Sequence, residues 1–217
     1  MAIELIMISS SQLIPVWFYG YGAVAYGIVA AISLLISFFS FRLYRKSSLK
    51  SNLILSLSFL SLGIAFASLL VSSLYTYFYI PYFEDDVSLG FFNHNGFNFY
   101  YLASLISYIL FSMMYLPGKI KNKFFAFYVP LWYIDWTNFH ILSIFIIGYV
   151  LLMNFMNCYK KRNFNSYLVT FAFFTIEIFH LLLLFISFDV SLYLAAHALL
   201  SVGFGSLLIM LIRVSVK

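Results

Sequence analysis

Phe124-Phe-Ala-Phe-Tyr-Val-Pro-Leu-Trp-Tyr-Ile134 is the stretch that decides the fold, because it determines whether the chain crosses a membrane six or seven times. As an α-helix, these 11 residues would be about 16 Å long, against a hydrocarbon core of about 30 Å. Length alone therefore favours a re-entrant or interfacial segment at 124–136. The charges on either side of the stretch favour a complete crossing.

The rest of the chain is apolar enough for a lipid bilayer to be its solvent. Of its 217 residues, 64% are hydrophobic and only 9% are charged, and the mean hydropathy is +1.00. Soluble domains are about a quarter charged. Several apolar runs exceed the roughly 18 residues that cross a bilayer. We therefore predict an all-α integral protein of the cell membrane, with one transmembrane domain over residues 1–217.

Six apolar runs are long enough to span without question, and the contested stretch would be the fourth of seven. The predicted helices cover residues about 16–41, 53–80, 98–116, 122–136, 139–158, 165–188 and 190–212. Residues 83–97, which include His94, are expected to form an outer loop. Cys158 is the only cysteine, so the chain has neither an internal disulfide nor a multi-cysteine metal site.

Basic residues accumulate in cytoplasmic loops, and each added span reverses the side of everything after it. With seven spans, one side receives every base: Arg42, Arg45, Lys46, Lys50, Lys119, Lys121, Lys123, Lys160, Lys161, Arg162, Arg213 and Lys217. The other side receives the acids Glu4, Glu84, Asp85, Asp86, Asp135 and Asp189. We therefore predict a seven-helix bundle with its N-terminus outside and its C-terminus cytoplasmic. The alternative is six spans plus a re-entrant segment at 124–136.

The net charge of +5 is then an orientation signal, and we expect no nucleic acid partner. The expected partners are the lipid bilayer and either other membrane subunits or further copies of the chain.

Two parts of the chain resemble one another. The first and fifth predicted helices both end in a tyrosine followed by two bases, Tyr44-Arg45-Lys46 and Tyr159-Lys160-Lys161. Leu57-Ser58-Phe59 and Phe171-Ala172-Phe173 follow at nearly the same offset of about 114 residues. The pattern predicts two parallel three-helix units joined by the fourth helix, a 3+1+3 plan. A chance likeness between amphiphilic helix ends is the alternative.

This plan is similar to that of the SWEET and PQ-loop proteins, and the orientation is also that of microbial rhodopsins. The resemblance is one of topology. The only glutamine, Gln12, lies in Ser-Gln-Leu, so the Pro-Gln dipeptide is absent. Residues 190–212 contain no lysine for a retinal Schiff base. Neither family therefore assigns a role to any residue here.

Glu177 is the only carboxylate deep within a predicted span, and an ionisable group there costs several kcal/mol unless it is paired, protonated or hydrated. His180 lies on the same helix face, with Thr170 about two turns before Glu177. His197 on the last helix is expected at the same depth, with Ser201 and Gly205 continuing its face towards a close helix contact. We predict a ligand or proton site of Glu177, His180, His197, Thr170 and Ser201.

Hydroxyls also recur at helical spacing in the third span, as Tyr101, Ser104, Tyr108, Ser112 and Tyr115. Helix packing and a polar pocket are alternative interpretations of such a stripe.

Three chemical roles remain open for the acid and the histidines. Glu177 and His180 can be structural partners, or they can handle protons or a substrate. A metal or haem b could be held by His180, His197, Glu177 and His140, the last near the outer start of the fifth span. No nucleophile with a base and an acid is visible, so we do not expect an enzyme. Known seven-helix membrane hydrolases use several histidines on the last helix, whereas this one has only His197.

The leading functional prediction is a small carrier or ligand-binding protein with a polar pocket around Glu177, His180 and His197. One alternative is a haem b or metal-binding membrane subunit of an electron-transfer complex. Another is a sensor or assembly subunit that acts through partner proteins.

Overall fold

The computed structural model describes residues 16–79, 87–116 and 135–215. Within these ranges the chain forms six α-helices and no strand: α1 Val16–Ser47, α2 Lys50–Tyr79, α3 Val87–Met113, α4 Trp136–Lys161, α5 Phe164–Leu184 and α6 Ser191–Ser215. All six contain stretches long and apolar enough to cross a membrane. The protein is therefore an all-helical, multipass membrane protein.

Two predicted boundaries were wrong. The predicted fourth helix, 122–136, lies outside the described residues except at its end, where Asp135 instead caps α4 by accepting a hydrogen bond of 2.7 Å from the Asn138 backbone. Trp136 is thus the first residue of the following helix. The expected outer loop is helical from Val87 onward. Hydropathy locates the apolar part of a helix, but caps and backbone hydrogen bonds decide where it begins and ends.

Two of the helix connections have the same construction. Ser48 after α1 and Arg162 after α4 both adopt the left-handed conformation, with φ of 55° and 44°. Their backbone N–H groups donate to the carbonyls of Tyr44 and Cys158, at 2.8 and 2.9 Å. Each closing residue is 114 positions from its counterpart. The same offset relates the helix ends Ser47 and Lys161 and the helix starts Lys50 and Phe164.

The helices form a closed ring in chain order, in which each packs mainly against its two neighbours and α6 returns to α1. We call α1–α3 the first unit and α4–α6 the second unit. Helices within a unit are antiparallel. The units meet at two parallel contacts. In the first, Phe97, ten residues into α3, packs on Trp136 at the start of α4, and Tyr115, just after α3, bonds Asn154 far along α4.

The other contact between the units, α1 with α6, is parallel too, since Phe18 stacks on Tyr193 and Tyr26 bonds His197 further along both helices. Aromatic rings fill the interior between the units. Phe59 of α2 and Phe173 of α5, again 114 residues apart, both pack edge-on against Phe111 of α3.

These helix directions separate the charges of the described residues. We call one end of the bundle the basic end, because all described bases lie there: Arg42, Arg45, Lys46, Lys50, Lys160, Lys161, Arg162 and Arg213. Asp135 and Asp189 mark the opposite, acidic end. The Ser191 backbone N–H donates to Asp189 and lowers the pKa of this exposed carboxyl, so it stays ionised. The charge asymmetry predicted from the sequence is present in this part of the chain.

The closest approach between α5 and α6 occurs at Gly203, where an added methyl group would overlap the Thr175 hydroxyl. We expected it at Gly205, but a methyl group there would meet no atom within 4 Å. Residues two apart on a helix point in different directions, so the sequence alone did not distinguish these glycines.

We predict that the two ends of the bundle are accessible from opposite sides of the membrane. Cys158 is buried and is first replaced by serine, which leaves a chain without thiols. A membrane-impermeant maleimide should then label Lys46→Cys and Lys161→Cys from one side and Asp189→Cys from the other. Labelling of Lys46→Cys and Asp189→Cys from the same side would contradict the arrangement.

We also predict that Gly203→Ala lowers the free energy of unfolding by about 1–3 kcal/mol, because the new methyl group overpacks the contact with Thr175. Gly205→Ala is the matched control, and it should be neutral or stabilising by up to about 1 kcal/mol through its higher helix propensity. Unfolding of both variants in detergent measures the difference. Equal destabilisation would rule out a tight contact specific to Gly203.

Candidate functional site

A chain of three buried side chains links three helices. His140 is one turn into α4, and His180 is one turn before the end of the antiparallel α5, so their rings meet. The two Nδ1 atoms are 2.8 Å apart, and the other nitrogen of His180, Nε2, lies 2.9 Å from the Tyr108 hydroxyl of α3. All three side chains are almost completely buried. We call them the histidine–tyrosine chain.

This chain has two possible hydrogen-bonding arrangements. In one, His140 donates from Nδ1 to His180, and His180 donates from Nε2 to the Tyr108 oxygen. In the other, Tyr108 donates to His180, and His180 donates to His140. His140 Nε2 is buried and has no hydrogen-bond partner, so it can hold either a lone pair or a proton. The two arrangements differ in where the protons lie along one line of atoms.

His197 belongs to a separate cluster. Its Nδ1 lies 2.6 Å from the Tyr193 carbonyl oxygen and its Nε2 lies 2.6 Å from the Tyr26 hydroxyl. A carbonyl only accepts, so Nδ1 carries the proton and Nε2 accepts from Tyr26. The Phe179 ring lies edge-on to both His180 and His197, with centroids 5.2 and 5.6 Å away, and separates the two clusters.

Glu177 lies near the middle of the bundle, opposite Gly148 at the midpoint of α4. A Cβ atom on Gly148 would be 3.4 Å from Glu177 Oε1, so the glycine provides the space for the carboxyl group. The other oxygen, Oε2, is buried without a hydrogen-bond partner. Glu177 lies one turn before His180 on α5 and is therefore close to the histidine–tyrosine chain, but no hydrogen bond joins it to His180 or Tyr108.

More unpaired polar groups lie on the helix faces around this site. Tyr115 bonds Asn154 39 residues later, and the same register places Ser104 of α3 level with Ser143 of α4. Buried polar atoms without a partner are found on these and nearby side chains: Tyr100 OH, Ser104 Oγ, Ser107 Oγ, Ser143 Oγ, His140 Nε2 and Glu177 Oε2. Such atoms are rare in native proteins unless water, an ion or a ligand satisfies them.

The structure places the predicted site residues in three different settings. It brings His140, His180 and Glu177 into one region, and it puts His197 beyond Phe179. The Thr170 hydroxyl donates to the Ser166 carbonyl at 2.8 Å, and the Ser201 hydroxyl donates to the His197 carbonyl at 2.9 Å. Both hydroxyls thus bind their own helices, and the Thr170 hydroxyl also lies 3.4 Å from the Asn154 carbonyl oxygen of α4.

Sequence reasoning did not connect Tyr108 with His180 or recognise Gly148. Tyr108 was visible as part of a hydroxyl stripe, but its partner is 72 residues away. Gly148 carries no polar group, so its importance appears only when Glu177 is seen against it.

The histidine nitrogens are poorly arranged for a haem. Five of the six ring nitrogens of the described histidines take part in hydrogen bonds, and only His140 Nε2 does not. Axial ligation by His180 and His197 would break a bond at each ring. Among the described residues, no group of three or more His, Cys, Asp or Glu side chains is positioned to hold a metal ion.

Comparisons with protein-family models, curated proteins and solved structures find no match for this chain.

We predict that protein purified from its native membrane in mild detergent shows no Soret band before or after dithionite. The reason is that the nitrogens available for axial ligation already serve Tyr108, His140, Tyr26 and the Tyr193 carbonyl. The same preparation of His197→Ala is the control for stray absorption. A Soret band that this substitution removes would restore the haem alternative.

Proposed function

We propose that the protein is a small seven-span membrane carrier that binds a cationic or polar solute between its two units. The observation that carries the proposal is Glu177, a carboxylate at mid-depth with one oxygen buried and unpaired. All bases of the described residues lie at the basic end, so none of them neutralises Glu177. A protein bears the cost of such a group where it has a function.

The direction of α3 and α4 supports the seventh crossing. Because these helices are parallel, Tyr115 lies at the basic end and Trp136 at the acidic end. The 20 residues between them, 116–135, therefore connect opposite ends of the bundle. The helical rise from Phe97 to Tyr115 is about 27 Å, and 20 residues reach about 30 Å as a helix. This favours a complete crossing at 122–136 over a re-entrant segment, with the basic end in the cytoplasm.

Equivalent contacts in the two units support an internal repeat. In the first unit, the rings of Tyr26 and Phe66 stack with centroids 6.0 Å apart. The residues 114 positions later are His140 and His180, whose ring centroids are 5.0 Å apart. The same pair of helix positions is in contact in both units, with aromatic chemistry in one and imidazole chemistry in the other.

A second equivalent contact involves Glu177 itself. In the first unit, a Cβ atom on Gly63 of α2 would lie 2.9 Å from the Leu34 side chain of α1. Adding 114 to these two positions gives Glu177 of α5 and Gly148 of α4, which also meet. In the first unit the large residue, Leu34, is on the first helix and the glycine is on the second. In the second unit the glycine is on the first helix and the large residue, Glu177, is on the second. The second unit thus keeps the packing arrangement and gains a carboxyl group.

The location of the site agrees with a carrier of parallel repeats, in which substrate sites lie near the bilayer midplane between the units. Tyr108 comes from the first unit, whereas His180 and Glu177 come from the second. A carboxylate in a region of low dielectric constant attracts a cation strongly, and the surrounding hydroxyls can accept or donate hydrogen bonds. The expected solutes are therefore small amines or other small polar cations.

We predict that a small cation raises the thermal stability of the purified protein and that Glu177→Gln abolishes the effect. The cations choline and putrescine would be tested beside glucose as an uncharged probe. A ligand at 100 times its Kd stabilises a folded protein by about 2.7 kcal/mol. Asp189→Asn is the control, because it removes an exposed carboxylate at the acidic end. No stabilisation by any cationic probe, or stabilisation that persists in Glu177→Gln, would contradict the proposal.

A further inference from the structure

We propose that His140, His180 and Tyr108 form a proton relay that delivers protons from the acidic end of the bundle to Glu177. The inference rests on the proposed function in treating Glu177 as the binding group, and it identifies the proton as the ion that controls this group. The geometry carries it: hydrogen bonds join His140 to His180 and His180 to Tyr108, and Glu177 lies one turn before His180 on α5 with a buried, unpaired oxygen.

The line begins near the acidic end and finishes at mid-depth. His140 lies one turn after Trp136, the first residue of α4. Its unpartnered Nε2 is where a proton can enter. The line then passes through the two Nδ1 atoms to His180 Nε2 and the Tyr108 hydroxyl. No hydrogen bond joins Tyr108 to Glu177, so we assign the last step, to the unpaired Glu177 Oε2, to a bridging water. Every position along it can both accept and release a proton.

One transfer converts the first hydrogen-bonding arrangement into the second. A proton binds His140 Nε2, and the proton on His140 Nδ1 moves to His180 Nδ1. His180 then gives its Nε2 proton to the Tyr108 oxygen. Tyr108 releases its original hydroxyl proton to the bridging water, which passes one of its own protons to the Glu177 carboxylate. One proton enters, one is bound by Glu177, and the three relay groups end neutral. Tyr108 now donates to His180, and His180 donates to His140.

Among the titratable groups near the relay, Glu177 is the one that accepts the proton. Tyr100 and Tyr108 face it from α3 and His140 from α4, whereas His197 of α6 lies beyond Phe179. Glu177 is the only carboxylate among the membrane-embedded residues that the structure describes, and the described bases lie at the basic end. His197 has a fixed tautomer because it bonds a carbonyl, so its cluster cannot pass a proton in the same way.

The first unit lacks the same path. At the positions of His180 and Glu177 it carries Phe66 and Gly63, neither of which has an exchangeable side-chain proton. Tyr26 and Tyr108 each bond a buried imidazole, at 2.6 and 2.9 Å. Only Tyr108 belongs to the relay, so Tyr26 serves as an internal control for it.

The test measures how fast Glu177 becomes protonated. Protein in lipid bilayers receives a rapid pH drop from a photolysed caged proton, and time-resolved infrared spectroscopy follows the C=O band of the protonated carboxyl group. The part of the band that Glu177→Gln removes is assigned to Glu177. Tyr108→Phe should slow the appearance of this band about tenfold or more. Tyr26→Phe should leave the rate unchanged.

Both tyrosine variants lose one buried hydroxyl-to-imidazole hydrogen bond, so a purely structural role predicts similar losses of stability and similar rates. Equal rates in the two variants, or no band that depends on Glu177, would overturn the relay.

Gly148→Leu combined with Glu177→Gly rebuilds the Leu34–Gly63 contact of the first unit, and this variant should fold and lack the band. If Tyr108→Phe does not slow the protonation of Glu177 but small cations still stabilise the protein through Glu177, the relay is refuted and the carrier proposal is not. If Tyr108→Phe does slow it but no cation stabilises the protein, the carrier proposal is refuted and the relay is not.

Discussion

The parallel packing of α3 against α4 is the constraint on which the rest of the structure depends. Helices that are consecutive in a ring and separated by a short turn are antiparallel, as α1 with α2 and α4 with α5 are. The α3–α4 contact is different, because Phe97 packs on Trp136 and Tyr115, later in α3's direction, bonds Asn154, later in α4's direction. It aligns the two units in the same direction, gathers the described bases at one end, and brings Tyr108 to the histidines of the second unit. Antiparallel helices would place Tyr108 at another depth and leave His180 without this partner.

The interior shows how polar groups are accommodated in a bundle surrounded by lipid. Hydroxyls such as Ser58, Thr170 and Ser201 donate to carbonyls of their own helices, which costs no additional partner. His197 is equally self-contained, because a carbonyl and the Tyr26 hydroxyl satisfy both nitrogens. Unpaired atoms are concentrated instead between α3, α4 and α5, where Glu177 also lies. The bundle therefore satisfies most of its polar groups locally, and it leaves a particular region ready to interact with water, protons or a solute.

Much of the fold was readable from the sequence because it depends on local composition. Hydropathy located the six helices, and the bases indicated which helix ends lie together. The offset of 114 was visible in two short motifs, and the structure shows the same offset in the left-handed residues Ser48 and Arg162. Glu177 and His180 stood out because ionisable groups are costly in lipid. The pairing of His140 with His180 was not predictable, because it depends on the relative rotation of two helices. Sequence reasoning had placed His197 opposite His180, whereas the Phe179 ring lies between them.

Comparing the Leu34–Gly63 contact of the first unit with the Gly148–Glu177 contact of the second separates the role of Glu177 from general helix packing. A carboxyl group in place of Gly63 would collide with Leu34, so a change at one position alone would disturb the contact. In the second unit the opposing residue is Gly148, and the space on α4 matches the side chain on α5. The first unit shows that an apolar pair fills the same contact, so packing alone does not require an acid there. The chain nevertheless places its only described mid-membrane carboxylate at this point, one turn before His180. The proposed proton or cation chemistry gives a reason for the acid and for the glycine opposite it, whereas helix packing alone gives no reason for the acid.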